Sequence, residues 1–356
     1  MKSRQLELRK LATPALLLDL PAVEKNLLKM SKFLSGGNCS LRPHCKNHQS
    51  PWLASKQIEA GAIGITCATL EQAEILASHR VKDILIASEI AGEAKIRQFV
   101  DLTKQSEVIV AVDNVRVVSE MARLSRDKKA TLSVLVDVDV GQHRCGVQPG
   151  EAVVHLAKSV VEHGLLLRGI MGYEGHLQHV PPGPEKDSAI RACAKLAIES
   201  KSLIEAHGIA CPIVSAGGTG THSVMSQYSG ITEVQAGTYL AMDNSYFRVA
   251  PEFERAFSVL VTVISKTDNQ RIVVDAGKKS LSGERGLPVV KSLEGVQLTA
   301  LHSEHAIIEL SDGAAPVEVG DTIEIWVEYS DPTVQLHRRM YGIRNGVVEE
   351  VLKLGE

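Results

Sequence analysis

A lysine flanked by two histidines stands in the segment Arg42-Pro43-His44-Cys45-Lys46-Asn47-His48. A lysine in such surroundings can lose its proton and attack a carbonyl carbon; on an open surface it would be a solvated cation. Two glycine-rich segments lie far downstream, Ser215-Ala216-Gly217-Gly218-Thr219-Gly220-Thr221 and Gln235-Ala236-Gly237-Thr238-Tyr239. Their glycines let backbone N–H groups approach an anion closely, and their hydroxyls add donors. Either alone reads equally well as a plain turn. Arg144, in Gly141-Gln142-His143-Arg144-Cys145-Gly146-Val147, can hold an anionic oxygen, and Tyr173, in Tyr173-Glu174-Gly175-His176, can pack beside a flat ring. Taken singly, the arginine is a surface ion-pair partner and the tyrosine a rim residue.

The elements between these residues decide whether they can meet. Short runs rich in Val, Ile and Leu recur at 40–46, 64–68, 84–87, 107–112, 132–138, 167–173, 213–216 and 233–236. Stretches of helical period separate them, such as 70–78 and 189–208. Strand alternating with helix implies right-handed crossovers and a parallel sheet, and eight repeats predict an α/β fold, a closed (β/α)8 TIM-like barrel. An open doubly wound sheet is the alternative. In a barrel, chemistry gathers at the C-terminal ends of the strands, and phosphate sites commonly form after strands seven and eight. Lys46, Arg144, Tyr173 and both glycine-rich segments fall at such ends. A nucleophilic lysine, a phosphate cradle, an arginine and an aromatic on one rim describe a pocket for pyridoxal 5'-phosphate (PLP).

After Pro251 the helical period fades. Runs at 257–265, 271–275, 322–327 and 340–343 read as strands, with Arg344-Asn345-Gly346 as a hairpin turn and Gly320-Asp321 as another turn. The expected division is a barrel over 14–250 and a C-terminal antiparallel β domain over 251–356, with residues 1–13 associated with the latter. The strand at 15–19 belongs either to that domain or to the entry of the barrel.

Bulk composition narrows the function classes. The 356 residues carry 44% hydrophobic and 23% charged side chains with a net charge of -3, so no basic surplus calls for nucleic acid or an anionic membrane. The apolar runs are too short to span a bilayer. The six cysteines (Cys39, Cys45, Cys67, Cys145, Cys193 and Cys211) are scattered, and the first ten residues lack an apolar leader; a cytoplasmic chain of reduced thiols is expected.

The segments RPHCKNH, GQHRCGV, YEGH, SAGGTGT and EVQAGTY occur in that order, followed by Val274-Asp275-Ala276-Gly277 and Asp331-Pro332-Thr333-Val334-Gln335-Leu336-His337. Together they resemble the D-threonine aldolase and D-serine dehydratase family of fold-type III PLP enzymes, over about residue 13 to the C-terminus. The resemblance implies an alanine-racemase-like barrel with a C-terminal β domain, usually a homodimer with sites shared across the interface, and a small amino-acid substrate. It implies that Lys46 carries PLP and moves protons at Cα, that Arg144 meets the phenolic oxygen of PLP, and that Tyr173 lines the pocket. Ser215, Gly217, Gly218, Thr219, Gly237 and Thr238 would hold the phosphate, and Gln235 would face the pyridine nitrogen. His305, in Leu301-His302-Ser303-Glu304-His305, falls near the family's other C-terminal histidine motif and is a catalytic candidate or a structural imidazole.

One position departs from the family. Aldolases of this kind resemble His-x-Asp, and the dehydratases His-x-Cys, just before the Pro-Thr-Val segment; here Tyr329-x-Asp331 stands there. Asp331 matches the aldolase branch, but a neutral phenol is a poor ligand for a divalent Mn, Mg or Zn ion compared with imidazole. The expected function is a lyase acting on a D-3-hydroxy amino acid, by retro-aldol cleavage or by elimination. The alternatives are an amino-acid racemase or epimerase using Lys46 and Tyr329 as two bases, and a PLP carrier without turnover.

Overall fold

The computed structural model describes residues 6–355 and divides into two compact units. The first is built on eight parallel strands: Ser40–Leu41, Ile65–Cys67, Asp83–Glu89, Glu107–Val112, Ser133–Asp137, Leu166–Gly172, Ile213–Ala216 and Glu233–Val234. From the second strand to the eighth each pairs with the next in sequence, and the eighth pairs with the first through Glu233↔Ser40 and Val234↔Leu41. The ring closes between the first and second strands by a parallel bridge at His44↔Thr66. Ile63 N–H donates to the Leu41 carbonyl and Thr66 N–H to the Pro43 carbonyl, both at 2.9 Å. The closed barrel expected from the alternation is what forms.

Alternation along each strand fills the interior. Leu85, Ile109, Ala111, Leu135 and Met171 form one buried cluster, while Ile84, Ile86 and Val110 on the opposite face are equally buried. Both faces are apolar because helices cover the outside, which is why these strands read as continuous hydrophobic runs. The helix Leu70–Ser78 matches its expected span; Thr69 caps it by accepting the Gln72 N–H at 3.2 Å, and Gln72 Oε1 accepts the Ala68 N–H at 2.9 Å.

An ion triad with two buried members braces the seam of the ring. Arg42 Nε donates to both Glu233 oxygens at 3.0 Å, and Nη1 meets Asp83. Arg42 and Glu233 are almost fully buried, so each charge depends on the other. Gly64 is needed here: a Cβ would lie 2.4 Å from Arg42 Nη1.

The second unit comprises residues 6–29, 47–50 and 238–355. It therefore takes its share of residues 14–29 and 238–250, which the sequence assigned to the barrel. The strand Ala15–Asp19 pairs antiparallel with Phe257–Asp268 and parallel with Arg339–Arg344, so the β unit claims it. Leu11, Ala15, Leu17, Leu260 and Val348 form a core cluster there. The hairpin at Asn345-Gly346 forms as expected, with both residues at positive φ (51° and 74°) between Arg339–Arg344 and Val347–Lys353. Among the described residues, no helix is long and apolar enough to cross a membrane.

Candidate active site

Lys46 does not end a regular strand. Pairing of the first strand as a ladder stops at Leu41, Pro43 has no N–H to continue it, and the chain turns into a single helical turn, Cys45–Asn47. Lys46 is half-buried, and its N–H donates to His44 Nδ1 at 3.3 Å. The loop after the eighth strand presses against this segment. His44 N–H donates to the Gln235 carbonyl at 3.2 Å, and a Cβ on Gly237 would lie 2.2 Å from the His44 carbonyl oxygen. Only glycine permits that approach. The structure thus brings Lys46's turn and Gln235–Gly237 together.

Gln235 and Ser215, from the ends of the eighth and seventh strands, are joined: Gln235 Nε2 donates to Ser215 Oγ at 2.9 Å, both residues buried. Arg144 and Tyr173 also meet, the guanidinium carbon 5.8 Å from the ring centroid. Parallel topology puts these residues, all following strand C-termini, on one rim of the barrel.

The glycine-rich segment is organised differently from its expected form. Gly217 and Gly218 do not offer their N–H groups outward. Gly217 N–H donates to Glu174 Oε2 at 3.1 Å, and Gly218 N–H donates to Thr221 Oγ1 at 3.0 Å. Gly220 N–H donates to Gln178 Oε1 at 2.9 Å. Thr221 hydroxyl and Gln178 Nε2 both donate to Glu174 Oε1. These donors are therefore consumed within the fold, and the glycines serve close packing: a Cβ on Gly218 would lie 2.5 Å from Gln178 Oε1. Glu174 is fully buried, and desolvation pushes its carboxyl above the ordinary range against the pull of its donors. Its neighbour Tyr173 was singled out in the sequence, and Glu174 was not; a charged residue directly after a strand with no exposed face is the signal that marks it.

A second group missed by the sequence lies at the ends of the third to fifth strands. Glu89, Asp113 and Cys145 bring ligand atoms within 4.8 Å of one another, the one cluster of three such groups among the described residues. Asp137 joins them. Burial first, and then a hydrogen bond with Glu89, raise its carboxyl to about 8.

Within the β unit, Tyr329 and Asp331 come together, but not on a strand. The last strand before them ends at Trp326, and Tyr329 is the N-cap of a short helix, Ser330–Gln335. Tyr329 Oη donates to Asp331 Oδ2 at 3.5 Å. Long-range contacts hold this helix. The buried Asp243 accepts Ser330 N–H at 2.8 Å and Ser330 Oγ at 2.7 Å, and Ser282 N–H donates to Thr333 Oγ1 at 3.1 Å. Arg285 stacks over the Tyr329 ring, its guanidinium carbon 4.6 Å from the centroid. Burial, and then the Asp331 charge, raise the Tyr329 phenol, which keeps its proton. His305 lies in the exposed turn between Val296–Leu301 and Ala306–Leu310, where His302 N–H donates to its carbonyl at 2.8 Å and Gly277 packs against its backbone. Thr238 also belongs to this unit, its carbonyl accepting Met242 N–H at 2.8 Å.

These features define an alanine-racemase-like barrel with a lysine-bearing rim and an added β unit. Two family models match the chain: the alanine racemase N-terminal domain over residues 18–245, and a serine dehydratase domain over residues 256–343. The chain is similar to D-threonine aldolase from Arthrobacter sp, with 34% identity over 98% of this chain and 93% of the relative. It is also similar to 3-hydroxy-D-aspartate aldolase from Paracoccus denitrificans, with 33% identity over 95% and 90%. The crystal structure of D-threonine aldolase from Filomicrobium marinum superposes with a TM-score of 0.95 at 32% identity, covering 98% and 96% of the two chains. The chain belongs to the D-threonine aldolase and D-serine dehydratase family of PLP-dependent lyases.

Proposed function

We propose that this chain cleaves the Cα–Cβ bond of a D-3-hydroxy amino acid to an aldehyde and the shortened amino acid, with PLP as cofactor and without a divalent metal. The observation that carries the reading is the Tyr329–Asp331 pair, a phenol donating to a carboxylate where the family pattern asks for a hydroxyl-polarising group. The rim fits PLP. A half-buried lysine, an arginine 5.8 Å from a tyrosine ring centre and a buried Gln–Ser pair all lie at or beyond the C-terminal ends of barrel strands, which supports this reading. Asn47, next in the chain after Lys46, is buried with neither amide atom hydrogen-bonded in the protein, the kind of vacancy that a bound polar group fills. Asp331 Oδ1 is among the buried atoms of the same kind, so only donor chemistry speaks against a metal there. One carboxylate beside a protonated phenol and a guanidinium is a weak donor set for a divalent ion.

PLP, when bound, supplies an electron sink for the pair released from the breaking bond. Lys46 would carry it, and its amine would hold a proton for Cα. Arg144, near the Tyr173 ring, would hold an anionic oxygen of the cofactor. Gln235, tied to Ser215 by one amide hydrogen, keeps a second hydrogen for a ring nitrogen without adding charge. Thr219 and Thr238 are the candidates for the phosphate, since the N–H groups of Gly217, Gly218 and Gly220 are spent within the fold. The β-hydroxyl proton passes to the phenol oxygen of Tyr329 as the phenol proton moves to Asp331, leaving a carbonyl at Cβ. His305, on an exposed turn, receives no step. The family resemblance also supports a homodimer, and the scattered cysteines support a cytoplasmic chain.

Incubation with D-threonine, D-serine and D-alanine tests the assignment. Acetaldehyde and glycine from D-threonine are expected. Ammonia with a keto acid would make the enzyme a dehydratase, the L-isomer a racemase, and no turnover of any substrate a carrier.

A further inference from the structure

We propose that Asp139 is the positioning residue of Arg144: its carboxylate clamps the loop that carries the arginine and so fixes where the guanidinium stands on the barrel rim. The inference rests on the assignment of Arg144 to an anionic oxygen of the cofactor and adds a residue to which that assignment gives no part.

The loop leaves the fifth strand, Ser133–Asp137, and returns at Val147. Its ends are tied by backbone bonds, Asp139 N–H to the Val147 carbonyl and Val147 N–H to the Asp137 carbonyl, both at 3.0 Å. Asp139 is buried and spends both oxygens locally. Oδ1 accepts Gly141 N–H and His143 N–H, each at 3.0 Å. Oδ2 accepts His143 Nδ1–H at 2.8 Å and the Gln148 amide at 3.1 Å. Four donors on one carboxylate make it the hub of the loop, and charge-assisted bonds of this kind are the strong ones. His143 is held twice, by backbone and by ring, and stands at φ 55°, a left-handed conformation that a residue with a Cβ adopts only when its surroundings impose it. That bend comes immediately before Arg144. On the other side, Gly146 N–H donates to Asp113 Oδ2 at 3.2 Å, and a Cβ on Gly146 would lie 2.7 Å from the Asp139 nitrogen. Arg144 itself is exposed, so the backbone decides where its guanidinium stands, 5.8 Å from the Tyr173 ring centroid. Gln142 lies against Gly175, where a Cβ would come within 2.5 Å of Gln142 Nε2, so the loop also fits closely on the segment after Tyr173. Without the carboxylate, Gly141 and His143 lose their acceptor, His143 is released from its left-handed bend, and the arginine moves with it.

A double-variant cycle on the holoenzyme tests the role, with two readouts: the pH titration of bound-PLP absorbance, and kcat/KM for D-threonine. Arg144→Ala should shift the absorbance midpoint. Asp139→Ala should shift it in the same direction and lower kcat/KM at least ~10-fold, because a small misplacement of a binding group is costly. The two changes together should move the midpoint no further than Arg144→Ala alone, since Asp139 acts through the arginine. Asp139→Asn keeps one accepting oxygen for the Gly141 and His143 N–H groups and should recover part of both losses; it decides the question if the alanine variant does not hold PLP. An Asp139 variant that binds PLP with the wild-type midpoint overturns the proposal, as does a double shift equal to the sum of the single ones. An unmoved midpoint in Arg144→Ala overturns the cofactor assignment of the arginine, and the proposal with it. The absorbance cycle needs no turnover, so absence of cleavage counts against the lyase assignment alone.

Discussion

The buried carboxylate of Glu174 accepts the backbone N–H of Gly217 at 3.1 Å. A segment that looks in sequence like a free anion cradle is thereby moulded from beneath by a charged residue next to Tyr173. Thr221 and Gln178 donate to the same carboxylate, so three donors depend on one side chain. Glu174→Ala should cost at least about 3 kcal/mol of unfolding free energy, since each buried donor left unmet costs roughly 1–3 kcal/mol. PLP affinity should fall as the loop relaxes. Urea unfolding that places the variant within about 0.5 kcal/mol of wild type would remove the carboxylate from this role.

Lys46 is expected to carry the cofactor. The purified protein should be yellow, and borohydride reduction should fix PLP on the peptide containing Lys46. Lys46→Ala should lose both the label and turnover. Labelling of a different lysine would end the assignment.

Tyr329→Phe keeps the ring beneath Arg285 and removes the hydroxyl that meets Asp331. Turnover should drop at least ~10-fold, equivalent to about 1.4 kcal/mol of barrier. Exhaustive chelation of the wild type should leave activity largely intact. Loss of activity on chelation, restored by manganese or zinc, would show that a metal works here after all.

Asp137 should make stability fall with pH. Its carboxyl is raised from 3.8 to about 8, first by burial and then by its hydrogen bond with Glu89. A raised folded-state pKa means that the native state binds more protons than the unfolded state across that window. Its stabilising contribution is therefore complete below about 4 and is lost as pH rises through about 8. Melting curves between pH 5 and pH 9 should show Asp137→Asn gaining on wild type steadily and then levelling off. A constant difference across the series would exclude the raised Asp137 carboxyl.

The triad at the seam should behave as a unit. Arg42→Met leaves Glu233 buried without its partner and should cost about 3–5 kcal/mol, whereas Arg42→Met with Glu233→Leu should recover much of that loss. PLP absorbance in the double variant should resemble wild type, because the triad braces the barrel. Equal losses in the single and double variants would contradict this reading.

Much of the fold is legible because it rests on period and punctuation. The strands at 107–112 and 213–216 and the helix at 70–78 match their expected spans residue for residue, and Asn345-Gly346 turns where positive φ is cheapest. Lys46 stands out from its motif, and its conformation does not, because Pro43 interrupts the ladder and the next residues coil instead of extending. Beyond the expected strand at 322–327 the chain enters a helix N-terminus at Tyr329, and Asp243, 87 positions earlier, captures Ser330 N–H and hydroxyl.

By itself the sequence determined the repeating strand and helix, the order of the motifs and the lysine to be tested, since these follow from local periodicity and residue type. Tertiary structure alone decided which polar groups are spent inside the fold. Glu233 of EVQAGTY is committed to Arg42, and Glu174 to the glycine loop. The physical reason is that a charged or polar side chain has several possible partners in sequence. Only burial, by withdrawing water as the default partner, forces it to choose one.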